Sequence, residues 1–379
     1  MAVLGPTALM DIALPTGVDA ATILNFEMRE GMTPQEVIAL AATTIGEVNQ
    51  ELEQQYGGLS MFTNSLYARY RQASGSRRMT PVRSEFNSPD PIRSDTIGHM
   101  LTITPYNDAT AWSASYLREA SMEQIRFDLH EIRDSWRDRV DYDVITRMFS
   151  STENRVGQGY SPGWAIGTGT NLDFIPPAWR GNSFTSSHTH YKRTNSAISS
   201  SNALTATKNA AKDLAHHGLT GDKVMMVSET DLDTYAGMTG FIDVIPERVQ
   251  VNAGNSDILR VFGRTEGVPG EAIGFLNTKY GMVEIRYHER IPANYFWMGK
   301  SFGINDSRNP LAIRYNPNVG PNDGGFGMLV MPQVDRSLTP RLDYLKFDAE
   351  HGINVNNRLN GVVYQIESGG SSYENPTIS

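Results

Sequence analysis

Between Pro105 and Gly157 the chain contains neither proline nor glycine, so no residue in that interval forces a helix to break. Apolar residues recur at Leu117, Ala120, Ile125, Leu129, Ile132, Trp136, Val140, Ile145 and Met148, the spacing of one helical face and not of a strand. Charged residues fill the other faces. Arg137–Asp141, Arg139–Asp143 and Asp143–Arg147 stand four apart and can pair along the helix. The pattern predicts a helix from about Asp108 to Ser150, with some 35 helical residues reaching roughly 50 Å. Few compact domains bury a helix of that length, since about 10–14 residues is usual. The expectation is a strut that ties two regions of a subunit together.

The rest of the composition narrows what surrounds this strut. The 379 residues suffice for two or three domains. The formal charge of −9 argues against a duplex-binding surface. There is no cysteine, so disulfides, thiol nucleophiles and thiolate metal sites are excluded. Arg29 is the first basic residue and Pro6 interrupts the apolar start, which predicts no secretory signal. No apolar run approaches the ~18 residues of a membrane span, and the expectation is a soluble chain made in a cytoplasm. Arginine and lysine are unevenly distributed: the first 191 residues hold fifteen arginines, and all seven lysines fall from Lys192 onward. Arginine holds bidentate, partly desolvated ion pairs better than lysine does, so this half suits a contact-rich assembly surface, or it reflects genome bias.

Along the chain, residues 1–32 read as an arm. Thr33-Pro34-Gln35-Glu36 spells a capping box with proline at the first helical position. Val37, Leu40, Ala41, Ile45, Val48 and Leu52 then form one face, ended by Gly57-Gly58. From Ala73 to Tyr106 four prolines forbid a long helix, Arg77, Arg78, Arg83 and Arg93 make the segment basic, and Met100–Thr104 alternates as a strand does. This predicts a two-stranded loop that needs a neighbour to lie on. Ser151–Asn202 is rich in glycine and serine yet carries Trp164, Phe174, Trp179, Phe184 and Tyr191, which predicts an ordered surface excursion pinned by these rings. A helix around Leu204, Ala211 and Leu214, a buried strand at Lys223–Ser228 and a second helix at Glu229–Ala236 follow. The remaining strands are expected at Ala272–Asn277, Met282–Tyr287, Asn294–Lys300, Leu311–Tyr315 and Gly361–Ile366, with a turn at Lys279–Gly281 and a loose end from Gly369.

No catalytic signature emerges. Gly167-Thr168-Gly169 lacks the third glycine of a nucleotide loop, and His288-Glu289 meets Pro292 where a zinc protease needs its second histidine. His188-Thr189-His190 places two rings on one face of a strand, but two histidines do not make a metal site without a third ligand. The reading is a structural pair satisfied by carbonyls or water, with no metal and no cofactor expected. His216-His217, just before Gly218, is expected to meet the helix C-terminus. The pairs Asp141/Asp143 and Asp231/Asp233 point to different helical faces and are expected to be solvated.

The order of these features resembles the major capsid proteins of tailed bacteriophages. The likeness runs through Gly98-His99-Met100-Leu101, the amphipathic helix with Trp112, Leu117-Arg118, Gln124-Ile125 and Trp136-Arg137, and Ser187-His188-Thr189-His190-Tyr191. It continues through the unit around Lys223–Ser228, Glu289-Arg290-Ile291-Pro292, His351-Gly352-Ile353 to Arg358, and Gly361-Val362-Val363-Tyr364-Gln365, covering roughly residues 95–367. The resemblance implies an α+β Hong Kong 97-like capsid fold. Its parts would be an N-terminal arm with one helix (1–72), an extended two-stranded loop (73–107), a long spine helix (108–150), a peripheral domain (151–238 and 288–367), an axial domain (239–287) and a flexible tail (368–379). It implies a non-enzymatic structural protein that assembles with itself as hexamers and pentamers into an icosahedral head. That head would enclose double-stranded DNA without sequence-specific binding, in virions made in a host bacterial cytoplasm and with no membrane role. Such rings use heterologous contacts that close only when the rotation closes. Inter-subunit contacts are expected from Arg77, Arg78, Arg83, Arg93, Arg137 and Arg139.

Some relatives weld the shell through a lysine of the extended loop; this loop has none, so that cross-link is not available. The arm looks too short for a built-in scaffold, which implies a separate scaffolding protein beside a portal and leaves open a decoration protein. The alternatives are an encapsulin-like nanocompartment shell and, from another class, a metal-dependent hydrolase built on His188 and His190.

Overall fold

A computed structural model of the chain describes residues 33–72, 95–113, 116, 119–156, 159–165, 175–185, 187–243, 265–320, 325–335 and 342–378. The first helix, α1 (Pro34–Tyr56), starts as its sequence predicts: the Thr33 hydroxyl accepts from the Glu36 N–H, and the Glu36 carboxylate accepts from the Thr33 N–H. Val37, Ala41, Ile45, Val48, Leu52 and Tyr56 are buried along one face. The turn after it needs glycine. A Cβ on Gly58 would lie 2.1 Å from the Glu266 carbonyl oxygen, closer than any side chain can approach.

The long helix is real but starts later than expected. It is α2 (Met122–Phe149), 28 residues, about 42 Å at the usual rise. Ser121 and Gln124 form a second capping box that fixes its start. Residues 108–113, expected in the helix, belong instead to β4 (Thr104–Ser113). A stretch without proline or glycine permits a helix but does not require one. Here alternating half-buried and exposed residues pair along the whole strand with β15 (Leu342–Val355), from Thr104 opposite His351 to Ser113 opposite Leu342.

β15 is the axis of a five-stranded sheet. β4 runs along one edge; β14 (Leu329–Asp335) and then β13 (Leu311–Tyr315) share the other, and β1 (Ser60–Thr63) adds in parallel to β13. Leu345, Phe347, Ala349, Ile353 and Val355, on alternate positions of β15, join the apolar faces of α1 and α2 in one core.

A seven-stranded sheet forms the second body, in the order β7 (Tyr191–Asn195), β16 (Val362–Glu367), β12 (Tyr295–Gly299), β8 (Lys223–Ser228), β11 (Gly281–His288), β10 (Glu271–Thr278) and β9 (Phe241–Asp243). On one face Met225, Val227, Phe296, Met298 and Tyr364 pack against the alanine-rich side of α3 (Ser200–His216). On the other, Val224, Met226, Trp297 and Val363 join the core of the long helix. Burial on both faces explains why β8 is apolar throughout its centre instead of alternating. A 3-10 turn at Glu229–Asp231 leads into α4 (Leu232–Ala236). β10 and β11, which fall largely within 239–287, lie in the same sheet as β8, β12 and β16.

The molecule is thus a mixed α+β structure, as expected, and the five strands expected between residues 272 and 366 are all present within about two residues of their bounds. Two further ladders are small: β2 (Tyr67–Gln72) with β3 (Asp95–Met100), and β5 (Asn154–Val156) with β6 (Gly159–Ser161). Trp164 and Tyr191 pin the excursion as expected. Trp164 is fully buried and its indole N–H donates to the Met148 carbonyl at 2.8 Å; the Tyr191 hydroxyl donates to the Ser150 carbonyl at 2.7 Å. Phe174 and Gly167–Gly169 lie outside the described residues. The end of the chain, expected to be loose, is held. Tyr373 donates to the Phe149 carbonyl, Asn375 accepts from the Ser151 N–H, and Glu374 pairs with Arg193 at 2.8 Å.

Candidate functional site

A two-stranded ladder forms, but it pairs β2, which precedes the segment predicted from Ala73, with β3, Tyr67 opposite Met100 and Gln72 opposite Asp95; the expected strand at Met100–Thr104 is instead the passage between β3 and β4. Arg77, Arg78, Arg83 and Arg93 lie outside the described residues. The chain passes from β3 to β4 through Leu101–Ile103, and this passage is fastened to the sheet. Leu101 donates its N–H to the Leu66 carbonyl at 2.8 Å and accepts at its own carbonyl from Arg314 at 2.7 Å. The fully buried Asn354 amide accepts from both the N–H and the hydroxyl of Thr102 at 2.8 Å, and donates to the carbonyls of Thr102 and Gly352. Gly352 makes room for this crossing, because a Cβ there would lie 2.1 Å from the Thr102 carbonyl oxygen. His99, at the end of β3, is buried; burial first, and then the charge of Arg358, lowers its pKa to about 4.

A second cluster joins the long helix to α1 and to the turn after β11. The buried Asp141 carboxylate accepts a hydrogen bond from the Tyr56 hydroxyl, lies 3.1 Å from His288 Nε2 and pairs with Arg290 Nε at 2.9 Å. Arg290 also pairs with Asp138. Burial, then the charge of Asp141, pushes the Tyr56 phenol well above its ordinary range. Asp143 accepts from Tyr106 at 2.8 Å and from Arg139 at 2.5 Å, with His351 Nε2 at 3.4 Å. Burial alone would raise the Asp143 carboxyl, but these contacts outweigh it and hold it below the ordinary value.

Asp141 and Asp143 are therefore anchoring groups, not the solvated pair expected. Asp231 is likewise buried and accepts from the Asn294 N–H at 2.6 Å, whereas Asp233 is exposed as expected. Of the three expected helix pairs only Arg139–Asp143 forms as an ion pair. Arg137 instead pairs with Glu51 of α1. Arg147 turns to the carbonyls of Ser150 and Thr152 at 2.7 and 2.9 Å, the electronegative end of the helix. Both described contact candidates, Arg137 and Arg139, thus have partners within the subunit.

The histidine pair acquires the third member that the sequence did not supply. His190 is fully buried, His217 is buried at the C-cap of α3, and His188 is half-buried. His217 Nε2 lies 2.9 Å from His188 Nε2 and 2.9 Å from His190 Nε2. His190 Nδ1 sits 2.6 Å from the Gly361 carbonyl oxygen. Burial lowers the pKa of all three rings, that of His217 to about 3 and that of His190 well below the ordinary value. The pairing of His217 with the helix end, expected from its position, gives way to contact across the fold.

No protein-family model matches the chain, and no curated protein does. Among solved structures, a chain from Mycobacterium phage Patience superposes with a TM-score of 0.60 at 18% identity, covering 92% of this chain and 91% of that one. The asymmetric unit of the bacteriophage PhiM1 mature capsid aligns at 0.46 and 9% identity, over 82% of this chain and 86% of that one. The capsid of a native GTA particle aligns at 0.45 and 10%, over 82% and 89%. The first of these comparisons carries the conclusion: this protein shares its fold, over nearly its whole length, with a chain of a mycobacteriophage.

Proposed function

We propose that this protein is the major shell subunit of a tailed phage, assembling with copies of itself as hexamers and pentamers into an icosahedral head around double-stranded DNA. The observation that carries this reading is the fold shared with the Mycobacterium phage Patience chain over 92% of the sequence. The role is structural, without catalysis, in a virion built in a bacterial cytoplasm. In the Hong Kong 97-like division, residues 1–72 are the arm and 73–107 the extended loop, and the spine is Met122–Phe149, shorter than the 108–150 expected because 108–113 belong to β4. The peripheral domain takes 151–238 and 288–367, and the axial domain takes 239–287. Sheet membership favours redrawing the last two, with the seven-stranded sheet and α3 as one unit and the five-stranded sheet with the long helix as the other.

Contacts between subunits would come from the basic loop bearing Arg77, Arg78, Arg83 and Arg93, and from Arg137 and Arg139 if they exchange partners on assembly. Each exposed pair is worth about 0–1 kcal/mol, so strength would come from repetition around the shell. A separate scaffolding protein and a portal complete the proposed set of partners. No observation favours an encapsulin-like compartment. Electron microscopy of the protein expressed alone and with its neighbouring phage genes tests the reading: rings or closed shells are expected, and a stable monomer in both cases would overturn it.

A further inference from the structure

We propose that His188, His190 and His217 bind one transition-metal ion of the Zn2+ class, each through one ring nitrogen, with solvent supplying the fourth donor. One ring nitrogen from each of the three residues lies within 4.8 Å of the others. A tetrahedral ion with metal–nitrogen bonds of about 2.0–2.1 Å places its donors roughly 3.3 Å apart. The observed separations, 2.9 Å twice and none above 4.8 Å, bracket that value, so modest ring rotations suffice to close the site.

Hydrogen bonding alone does not account for the arrangement. A neutral ring nitrogen carries either one proton or one lone pair, in the ring plane. His190 donates from Nδ1 to the Gly361 carbonyl, which leaves a lone pair on its Nε2. If His217 Nε2 carries a proton, it serves His190 or His188 but not both along a straight line. If it carries a lone pair, it opposes that of His190 across 2.9 Å. A cation placed among the three accepts a lone pair from each. The bond from His190 Nδ1 to a carbonyl is also the usual device that fixes the tautomer and ring angle of a metal-bound histidine.

The surroundings suit an ion that holds parts of the fold together. The Phe184 ring stacks on His217 with centroids 4.3 Å apart and lies 4.8 Å from His188, shielding one side. The half-buried His188 leaves an approach from solvent. The nearby Lys192 ammonium is paired with Asp213 at 2.6 Å, which offsets its repulsion of a cation. His188 and His190 precede β7, while His217 ends α3. A bound ion would therefore fasten the glycine- and serine-rich excursion to the end of that helix.

The inference does not depend on the shell reading. The test uses untagged full-length protein, Zn2+ and Co2+ alone as probes, and elemental analysis. About one ion per chain is expected after dialysis, with tetrahedral Co2+ absorption in the visible range and a rise in melting temperature on adding Zn2+. H188Q, at the half-buried position, should stay folded by circular dichroism and bind at least about tenfold more weakly. H216Q, beside the cluster but not in it, should bind as wild type does. Absence of stoichiometric metal and of the Co2+ spectrum in the folded wild-type protein would overturn the proposal, as would equal losses in H188Q and H216Q.

Discussion

His99 shows how one side chain can set a pH limit. Its ring is neutral in the folded protein with a pKa of about 4, against 6.5 for an ordinary histidine. As pH falls, the unfolded chain takes up the proton first, so stability from this group is intact above about 6.5 and lost progressively towards about 4, by up to about 3 kcal/mol. Urea denaturation of the subunit between about pH 7 and pH 4 should show that decline, and H99Q should make it shallower while the buried His190 and His217 keep their own share. Asp141 matters as a hydrogen-bond acceptor that three partners share. D141A should cost about 2–4 kcal/mol, because it strands the buried Tyr56 hydroxyl and His288 Nε2 and leaves Arg290 to its pairing with Asp138; the denaturant midpoint should fall with little change in slope. Neither role was legible beforehand. The partners of Asp141 lie 85, 147 and 149 positions away, and local spacing is blind to contacts at that range. The same distance effect hid His217, which stands 27 residues beyond His190.

For elements, start signals were more informative than the absence of breakers. The capping box at Thr33 fixed the start of α1, and an equivalent box at Ser121 was present to be read. It was masked because the stretch free of proline and glycine continues upstream into β4, whose state is decided by a partner strand more than two hundred residues later. S121A should lower stability by about 1 kcal/mol and increase hydrogen exchange in the first turn of α2. The crossing between β3 and β4 is a sharper case. N354A removes an amide that serves Thr102 three ways and Gly352 once, and should cost about 2–4 kcal/mol in thermal or chemical unfolding. Strands β10 to β13 were visible because each is a short apolar run whose signal is local. β15, the longest strand among the described residues, was missed although Leu345-Lys346-Phe347-Asp348-Ala349-Glu350 alternates apolar and charged residues as a half-buried strand does.

At the scale of the molecule, two sheets share a single core around α2, and the seven-stranded sheet has a second core beneath α3. This organisation followed from the sequence only in outline: a strut, a basic two-stranded loop and a mixed remainder. Replacing Arg77, Arg78 and Arg83 together by alanine should impair shell closure while leaving the subunit's unfolding transition unchanged; normal shells from this variant would sink the loop's proposed role. The final residues have a consequence of their own. Tyr373 reaches the last turn of α2, Asn375 the segment just beyond it, and Glu374 both β7, through Arg193, and β12, through the Tyr295 hydroxyl. They form no strand or helix, yet they work as a clasp across elements distant in the chain. Trimming residues 373–379 should therefore release the end of the long helix and an edge of the larger sheet in a single cooperative step.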